Sequence, residues 1–203
     1  MGKLKTLLED IYISYELLSS HDRRAALINE MQLLEGKTIH CFTCPGTCCT
    51  GQANSMQITP IEALEILKGL EADSFSEDDR EKLKNTLKNT VAKYRLNVEI
   101  YTGKRNSQTL RKNYTCPFFN NGSLGCGLSR SSKPYGCLGF NPKQEKDNGQ
   151  SCSSNLDLLS EREKKFKTTE DMANQEISRQ FNLPWDKQNI PQALLDIMDR
   201  LYT

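Results

Sequence analysis

Apolar residues recur at steps of three and four along most of the chain, the spacing of one buried helix face. Leu4, Leu7, Leu8, Ile11, Tyr15 and Leu18 form such a stripe and predict a helix over 4–18. A second helix is expected after Ser20 as its N-cap, with Leu27, Met31 and Leu34 on one face and Gly36 past its end. Thr59-Pro60-Ile61-Glu62 combines a cap, a proline in the first turn and a carboxylate at the third position. It opens a helix over 60–71 that turns Ile61, Leu64 and Leu67 or Leu70 inward. Ser76 with Asp79 opens a longer one, and Leu83, Leu87, Val91, Tyr94, Val98 and Tyr101 carry it to about residue 100. Beyond Leu156, the positions of Phe166, Met172, Ala173, Ile177 and Phe181 predict one or two helices before Pro184-Trp185. Pro191 starts the last helix, with Leu194, Leu195, Met198 and Leu201 on its face. No strand-like alternation exceeds four residues and no internal repeat is present, so the expected fold class is mainly α.

Two segments break this periodicity, 37–58 and 116–152, and both hold cysteines. The polar stretch 102–115 between them reads as a solvated connection despite Lys104, Arg105, Arg111 and Lys112. The implied organisation is two N-terminal helices over 1–36, a cysteine-cluster domain over 37–155, and a C-terminal helical appendage over 156–203. The helices at 60–71 and 76–100 are expected to form a hairpin that brings the two cysteine segments together.

Composition narrows the function. With 203 residues the chain has the length of one domain, but 36% hydrophobic residues and a mean hydropathy of −0.63 imply a modest core. Lysine plus arginine number 27 against 26 acidic residues, so the basic excess that nucleic acid or an anionic membrane would favour is absent. No run of 18 apolar residues exists to span a membrane. Glu9, Asp10 and Glu16 interrupt the first apolar stretch, so no secretory signal is expected. Met1-Gly2 with Thr6 fits the loose myristoylation pattern, but the same residues belong to the ordinary amphipathic stripe. The expected setting is the reducing cytoplasm, where clustered cysteines more often bind metal than form structural disulfides.

The eight cysteines are the outlier. Cys41, Cys44, Cys48 and Cys49 fall within nine residues; Cys116, Cys126, Cys137 and Cys152 are spread over the second segment. A Cys-x-x-Cys step lets one tight turn aim two thiolates at one ion, and Pro45-Gly46 supplies a second turn. Eight of the twelve glycines and four of the seven prolines lie in these segments, a composition that lets backbone N–H groups approach sulfur closely. Four disulfides and inert buried thiols are the competing readings. The first suffers from adjacent Cys48 and Cys49, the second from the clustering. A metal ion or cluster held by thiolates is therefore the expected partner. Structural zinc usually shows two Cys-x-x-Cys pairs per site, and only one is present here. The four-cysteine ferredoxin run is absent too. Adjacent Cys48 and Cys49 suit a cluster or two metals, so an iron–sulfur cluster or iron is preferred and zinc is the alternative.

Cys41-x-x-Cys44-x-x-x-Cys48-Cys49, then Cys116-Pro117-Phe118-Phe119, Cys126, Lys133-Pro134, Cys137 and Phe140-Asn141-Pro142, resembles the YkgJ-type cysteine-cluster family. That family is described as a zinc- or iron-chelating domain. The resemblance covers about 38–142. It implies that the thiols of Cys41, Cys44, Cys48, Cys49, Cys116, Cys126 and Cys137 are ligands; Cys152, outside the core pattern, is the eighth candidate ligand. Lys133 stands where the family usually has arginine, and Leu128-Ser129 replaces an Ile-Tyr pair. Some members are called flagellin lysine methylases, which implies methyl transfer from S-adenosylmethionine beside an iron–sulfur cluster. No glycine-rich strand–turn–helix loop for such a cofactor is evident in this chain.

Other chemistry is sparse. His40 is a candidate ligand or donor to a thiolate, and His21 beside the second helix start reads as solvent-facing. Glu77-Asp78-Asp79 lies at a helix start, where the dipole accounts for it without catalysis. Trp185 reads as a packing anchor. The expectation is a small helical domain organised around a cysteine-ligated metal centre in irregular loops. Its function is metal binding, or a methyl- or electron-transfer enzyme that uses the centre.

Overall fold

The computed structural model describes residues 3–37, 39, 47–71, 75–98, 111–120, 125–142 and 152–202. Seven α-helices are present among them: α1 Lys3–Ser14, α2 Ser20–Gly36, α3 Pro60–Glu71, α4 Glu77–Tyr94, α5 Tyr135–Leu138, α6 Leu156–Gln180 and α7 Ile190–Leu201. The fold is mainly α, as the periodicity implies. Four strands of two residues add small clips. β1 (Gln57–Ile58) pairs antiparallel with β4 (Gln188–Asn189), and β2 (Phe140–Asn141) pairs with β3 (Ser153–Ser154). Such short pairings carry no alternation and leave no periodic trace in the sequence.

The core gathers Leu4, Leu8 and Ile11 of α1, most of α3, and Ile190, Leu194, Ile197 and Leu201 of α7. α3 is buried on nearly every side, because α1, α6 and α7 all pack against it. The hairpin expected of α3 and α4 does not form. α4 packs chiefly on α7, and α7 in turn packs on α3. Trp185 packs on this core and donates from Nε1 to Asp196 Oδ2 at 2.8 Å, anchoring α7 as expected.

Helix starts follow the capping chemistry. Ser76 and Asp79 make a full capping box on α4. Asn155 and Asn189 cap α6 and α7. The α2 cap is Ser19 rather than Ser20, since Ser19 Oγ accepts from Asp22 N at 3.1 Å. Ser20 Oγ is drawn instead to Ser131 O at 2.5 Å. Gly36 is the last residue of α2 rather than lying past its end.

Helix ends depart more. α1, α4 and α6 each stop at a non-glycine residue in the left-handed region: Glu16, Arg95 and Asn182, with φ of 51°, 51° and 45°. In each case the next residue is a buried leucine whose N–H reaches back five residues. Leu17 bonds Tyr12 O at 2.8 Å, Leu96 bonds Val91 O at 3.0 Å and Leu183 bonds Ser178 O at 2.8 Å. This is the Schellman arrangement with its hydrophobic contact. Burying the leucine offsets the strain of the left-handed residue. It also ends the helices short of the expected stripes: the turn buries Leu17 and Leu96, while Leu18 and Val98, expected on the buried faces, are exposed. The remainder of the expected α4 extension, residues 99–101, lies outside the described residues.

Replacing the exposed Glu16 by glycine removes the left-handed penalty and should raise stability by up to about 1 kcal/mol. Leu17→Ala should lower it by about 2 kcal/mol or more through loss of the buried contact. Urea unfolding of the two variants checks both signs.

Candidate metal centre

Two strips of chain are laced together beside β1. Cys116 N donates to Cys49 O at 2.8 Å and Tyr114 N to Asn54 O at 2.9 Å. Gly51 N bonds Thr115 Oγ1 at 3.1 Å, and Thr115 Oγ1 meets Tyr94 Oη at 2.7 Å. The Tyr114 hydroxyl donates to Met56 O at 2.6 Å and accepts from Ile190 N at 3.1 Å, so α7 holds the lacing from behind. Cys48 and Cys49 sit on the single 3-10 turn Thr47–Cys49. The chain then doubles back from Cys116 through an isolated bridge, Phe119 with Cys126, closed by Gly127 N on Phe118 O at 2.8 Å. Gly125 supplies the positive φ of 91° that this reversal needs. Leu128 N points to Cys126 Sγ at 3.5 Å, a main-chain donor to sulfur. Cys137 lies in the short helix α5, where Gly136 packs so closely on Met56 that a Cβ would overlap its methyl end.

Cys48, Cys49, Cys116, Cys126 and Cys137 line one cavity of about 550 Å³, together with Lys133. None of the five is in a disulfide. Cys152 precedes β3 and is not part of that lining. Cys41, Cys44 and His40 lie outside the described residues. His21 is exposed on α2, as expected. Burial pushes the Cys116 thiol up to about 12, and burial also holds Cys137 well above its ordinary value, with Cys116 and Cys126 adding to it. A hydrogen bond with Cys49, then burial, raises Cys48. Raised in this way, Cys48, Cys116 and Cys137 favour the protonated thiol, and a bound cation would have to displace those protons. Among the described residues no group of three or more His, Cys, Asp or Glu side chains stands close enough to hold a metal ion. The donor chemistry suits a thiolate-bound metal; the spacing of the described thiols does not by itself close a first shell.

Behind part of this cavity, where Glu62, Tyr135, Arg162 and Glu170 line it, lies a charged network that the periodicity gives no reason to expect. Arg23 and Arg24 of α2 are 1% and 0% exposed, and Glu65 of α3 is 3% exposed. Arg24 Nη1 donates to Glu65 Oε2 at 2.7 Å, and Arg23 pairs with Glu65 Oε1 and with Glu170 of α6. Tyr12 donates to Glu65 at 2.8 Å, and Tyr135 to Glu170 at 2.7 Å. Arg162 pairs with Glu170 and stacks on the Tyr135 ring at 3.2 Å, while Arg24 covers that ring at 4.3 Å. Burial alone would raise the Glu65 carboxyl, but Arg24 and Arg23 hold it below its ordinary value. Glu62 accepts from Thr59 N and from Tyr135 N, both at 2.9 Å, tying the α3 cap to α5. One signal could have exposed the network. Arg23 and Arg24 sit four and three residues before Leu27, on its own face, and Glu65 lies inside the apolar run of α3.

Compared with protein-family models, with characterised proteins and with solved structures, the chain matches none of them.

Glu65→Gln leaves two guanidiniums facing a neutral amide and should cost about 3–5 kcal/mol. The lowered carboxyl gives a pH signature. Its contribution is full above the ordinary carboxylate value near 4.5 and is lost as pH falls toward the lower folded value. Denaturant unfolding across pH 3–6 should show this acid-dependent loss in the wild type and a shallower dependence in the variant.

Proposed function

We propose that the chain is a metal-binding protein with a cysteine-ligated centre, an iron–sulfur cluster or iron in preference to zinc. The observation that carries this reading is the meeting of five thiols from separate stretches of chain on one cavity. Cys41 and Cys44, in the same short run as Cys48 and Cys49, are the natural candidates to complete the ligand set. The centre would sit in the loop-built wall, with Leu128 N as one of the main-chain donors that steady thiolate charge. Metal would supply the cation that offsets burial and lets thiols such as Cys116 and Cys137 ionise. The reading agrees with what the resemblance to YkgJ-type chelating domains implies. A reducing cytoplasmic setting is proposed with it, because it would keep these thiols available. No helix among the described residues is long and apolar enough to cross a membrane.

A second reading has its own support. A cavity of about 550 Å³ lies in the size range of small-molecule sites, more than a closed metal site requires. This favours a centre used by an enzyme, of methyl- or electron-transfer type, over a purely structural staple. Calorimetry with S-adenosylmethionine separates the two methyl-transfer outcomes: no heat removes that version.

Anaerobic purification followed by metal, sulfide and absorbance measurement should find metal near one centre's worth per chain. A colourless, metal-free protein with intact thiols and normal stability overturns the reading. Cys116→Ser should lose metal nearly as fully as Cys44→Ser, since each would remove a thiolate from one shared shell, whereas Cys152→Ser should lose less. Full metal in Cys116→Ser beside loss in Cys44→Ser would separate the two cysteine segments.

A further inference from the structure

Two side chains on the cavity lining hold a buried donor that has no hydrogen-bond partner among the described residues: Arg162 at Nε and Asn54 at Nδ2. The Arg162 side chain is 9% exposed and Asn54 is 6% exposed. Neither can turn to find a partner elsewhere. The Arg162 guanidinium stacks on the Tyr135 ring at 3.2 Å, and its Nη2 is paired with Glu170. The Asn54 amide cannot be reversed, because its Oδ1 accepts from Met56 N at 3.1 Å. Its main chain is fixed as well, by Thr50 O and Tyr114 N, both at 2.9 Å. The nearby Tyr114 hydroxyl is already shared between Met56 O and Ile190 N. Buried polar groups are ordinarily satisfied, so two orphan donors on one cavity call for an acceptor that the chain does not supply.

The rest of the lining describes the molecule that would carry it. Met31, Met56, Phe119, Leu128, Phe140 and Leu159 offer an apolar surface. Five cationic side chains line the cavity against four acidic ones, a surplus of one positive charge among the described residues. Three of the acids are already engaged: Glu62 by main-chain N–H groups, Glu170 by arginines and Asp171 by Lys167. We propose that the cavity binds an organic monocarboxylate, its apolar body on the methionine and aromatic side chains and its oxygens drawn to the donors of Arg162 and Asn54. The inference rests on the second reading above, of this cavity as a small-molecule site, and names its ligand; it requires no metal. An ionised acceptor gains more from a guanidinium than a neutral carbonyl does. A dianion would bring more charge than the lining answers, in surroundings that are largely apolar.

The test measures binding of octanoate and phenylbutyrate to the full-length chain by calorimetry, beside octanol and phenylbutanol, which share their bodies without the charge. Each acid should bind roughly tenfold or more tightly than its alcohol. Asn54→Asp keeps the acceptor for Met56 N and puts an oxygen where the donor stood. It should weaken both acids by a further factor of roughly ten or more and leave the alcohols near their wild-type affinity. Arg162→Lys keeps the charge without Nε and carries the same comparison where the aspartate variant fails to fold. Bound acid should also slow iodoacetamide labelling of Cys49 and Cys126, mapped by mass spectrometry, because both line the cavity. Acids and alcohols that bind equally, or acids that bind both folded variants as they bind the wild type, overturn the inference and leave a site for neutral molecules standing. Acid binding that protects neither cysteine overturns it by placing the molecule elsewhere. A chain that binds none of the four probes overturns the inference together with the small-molecule reading, while metal content still decides the thiol centre.

Discussion

Arg23 and Arg24 are adjacent in α2 and neither guanidinium reaches water. Fixed charge at that depth has to be met by partners in good geometry, and the partners come from separate parts of the chain: Glu65 of α3, Glu170 of α6, the Tyr135 hydroxyl and the Lys133 carbonyl. Such a network adds little net stability compared with hydrophobic residues of the same volume. Its effect is on specificity. A shift of α2 by one residue along α3 would strand a buried guanidinium, so only one packing of α2, α3 and α6 is tolerated. The segment from Lys133 to Leu138 is caught in the same constraint, because it supplies a carbonyl, a hydroxyl and an aromatic face to the arginines. Lys133 and Cys137 therefore reach the cavity from a backbone that the charged network has already placed.

The other wall is built differently. Cys48, Cys49, Cys116 and Cys126 come from irregular chain, which would be free to move were it not laced between residues 49–56 and 113–116. The lacing consists of main-chain hydrogen bonds and the Tyr114 hydroxyl, with Ile190 at the start of α7 behind it. Loops can bring several main-chain N–H groups toward one sulfur, which a regular helix cannot, because its N–H groups are spent within the helix. The division of labour is then physical. Helices and ion pairs fix the position of the cavity, and loops line it with thiols.

Legibility in the sequence follows the range of the interactions. The starts of α3 and α4 were readable because caps act within three residues of Thr59 and Ser76. The buried faces of α3 and α7 were readable because hydrophobic spacing is local. The ends of α1 and α4 were not, since Leu18 and Val98 look like further steps of a stripe, whereas left-handed turns at Glu16 and Arg95 bury Leu17 and Leu96 and leave those two exposed. Ser19 displaced Ser20 as a cap because Ser20 was drawn to Ser131, 111 positions away. The pairing within the arginine network was not readable for the same reason: Arg23 and Arg24 sit on the apolar face of α2, but their carboxylate partners lie 41 to 147 positions away. At the site, the cysteines announced themselves by type and clustering. Which of them share a wall depended on the turn at Gly125 and on contacts between distant segments.

The charge distribution links the two walls. The carboxylates of Glu65 and Glu170 are consumed by arginines, and both oxygens of Glu62 are occupied by main-chain N–H groups of Thr59 and Tyr135. No acidic partner pairs with Lys133 among the described residues, and the groups that share its surroundings are thiols. A thiol offers an ammonium little until it loses its proton, and burial opposes that loss at Cys116 and Cys137. On the proposed reading, a metal cation would supply what the thiols lack, a positive charge that stabilises the thiolates burial disfavours at Cys116 and Cys137. Folding of the loop wall and loading of the metal would then be one coupled event rather than two, since the charge that stabilises the loops arrives with the ion.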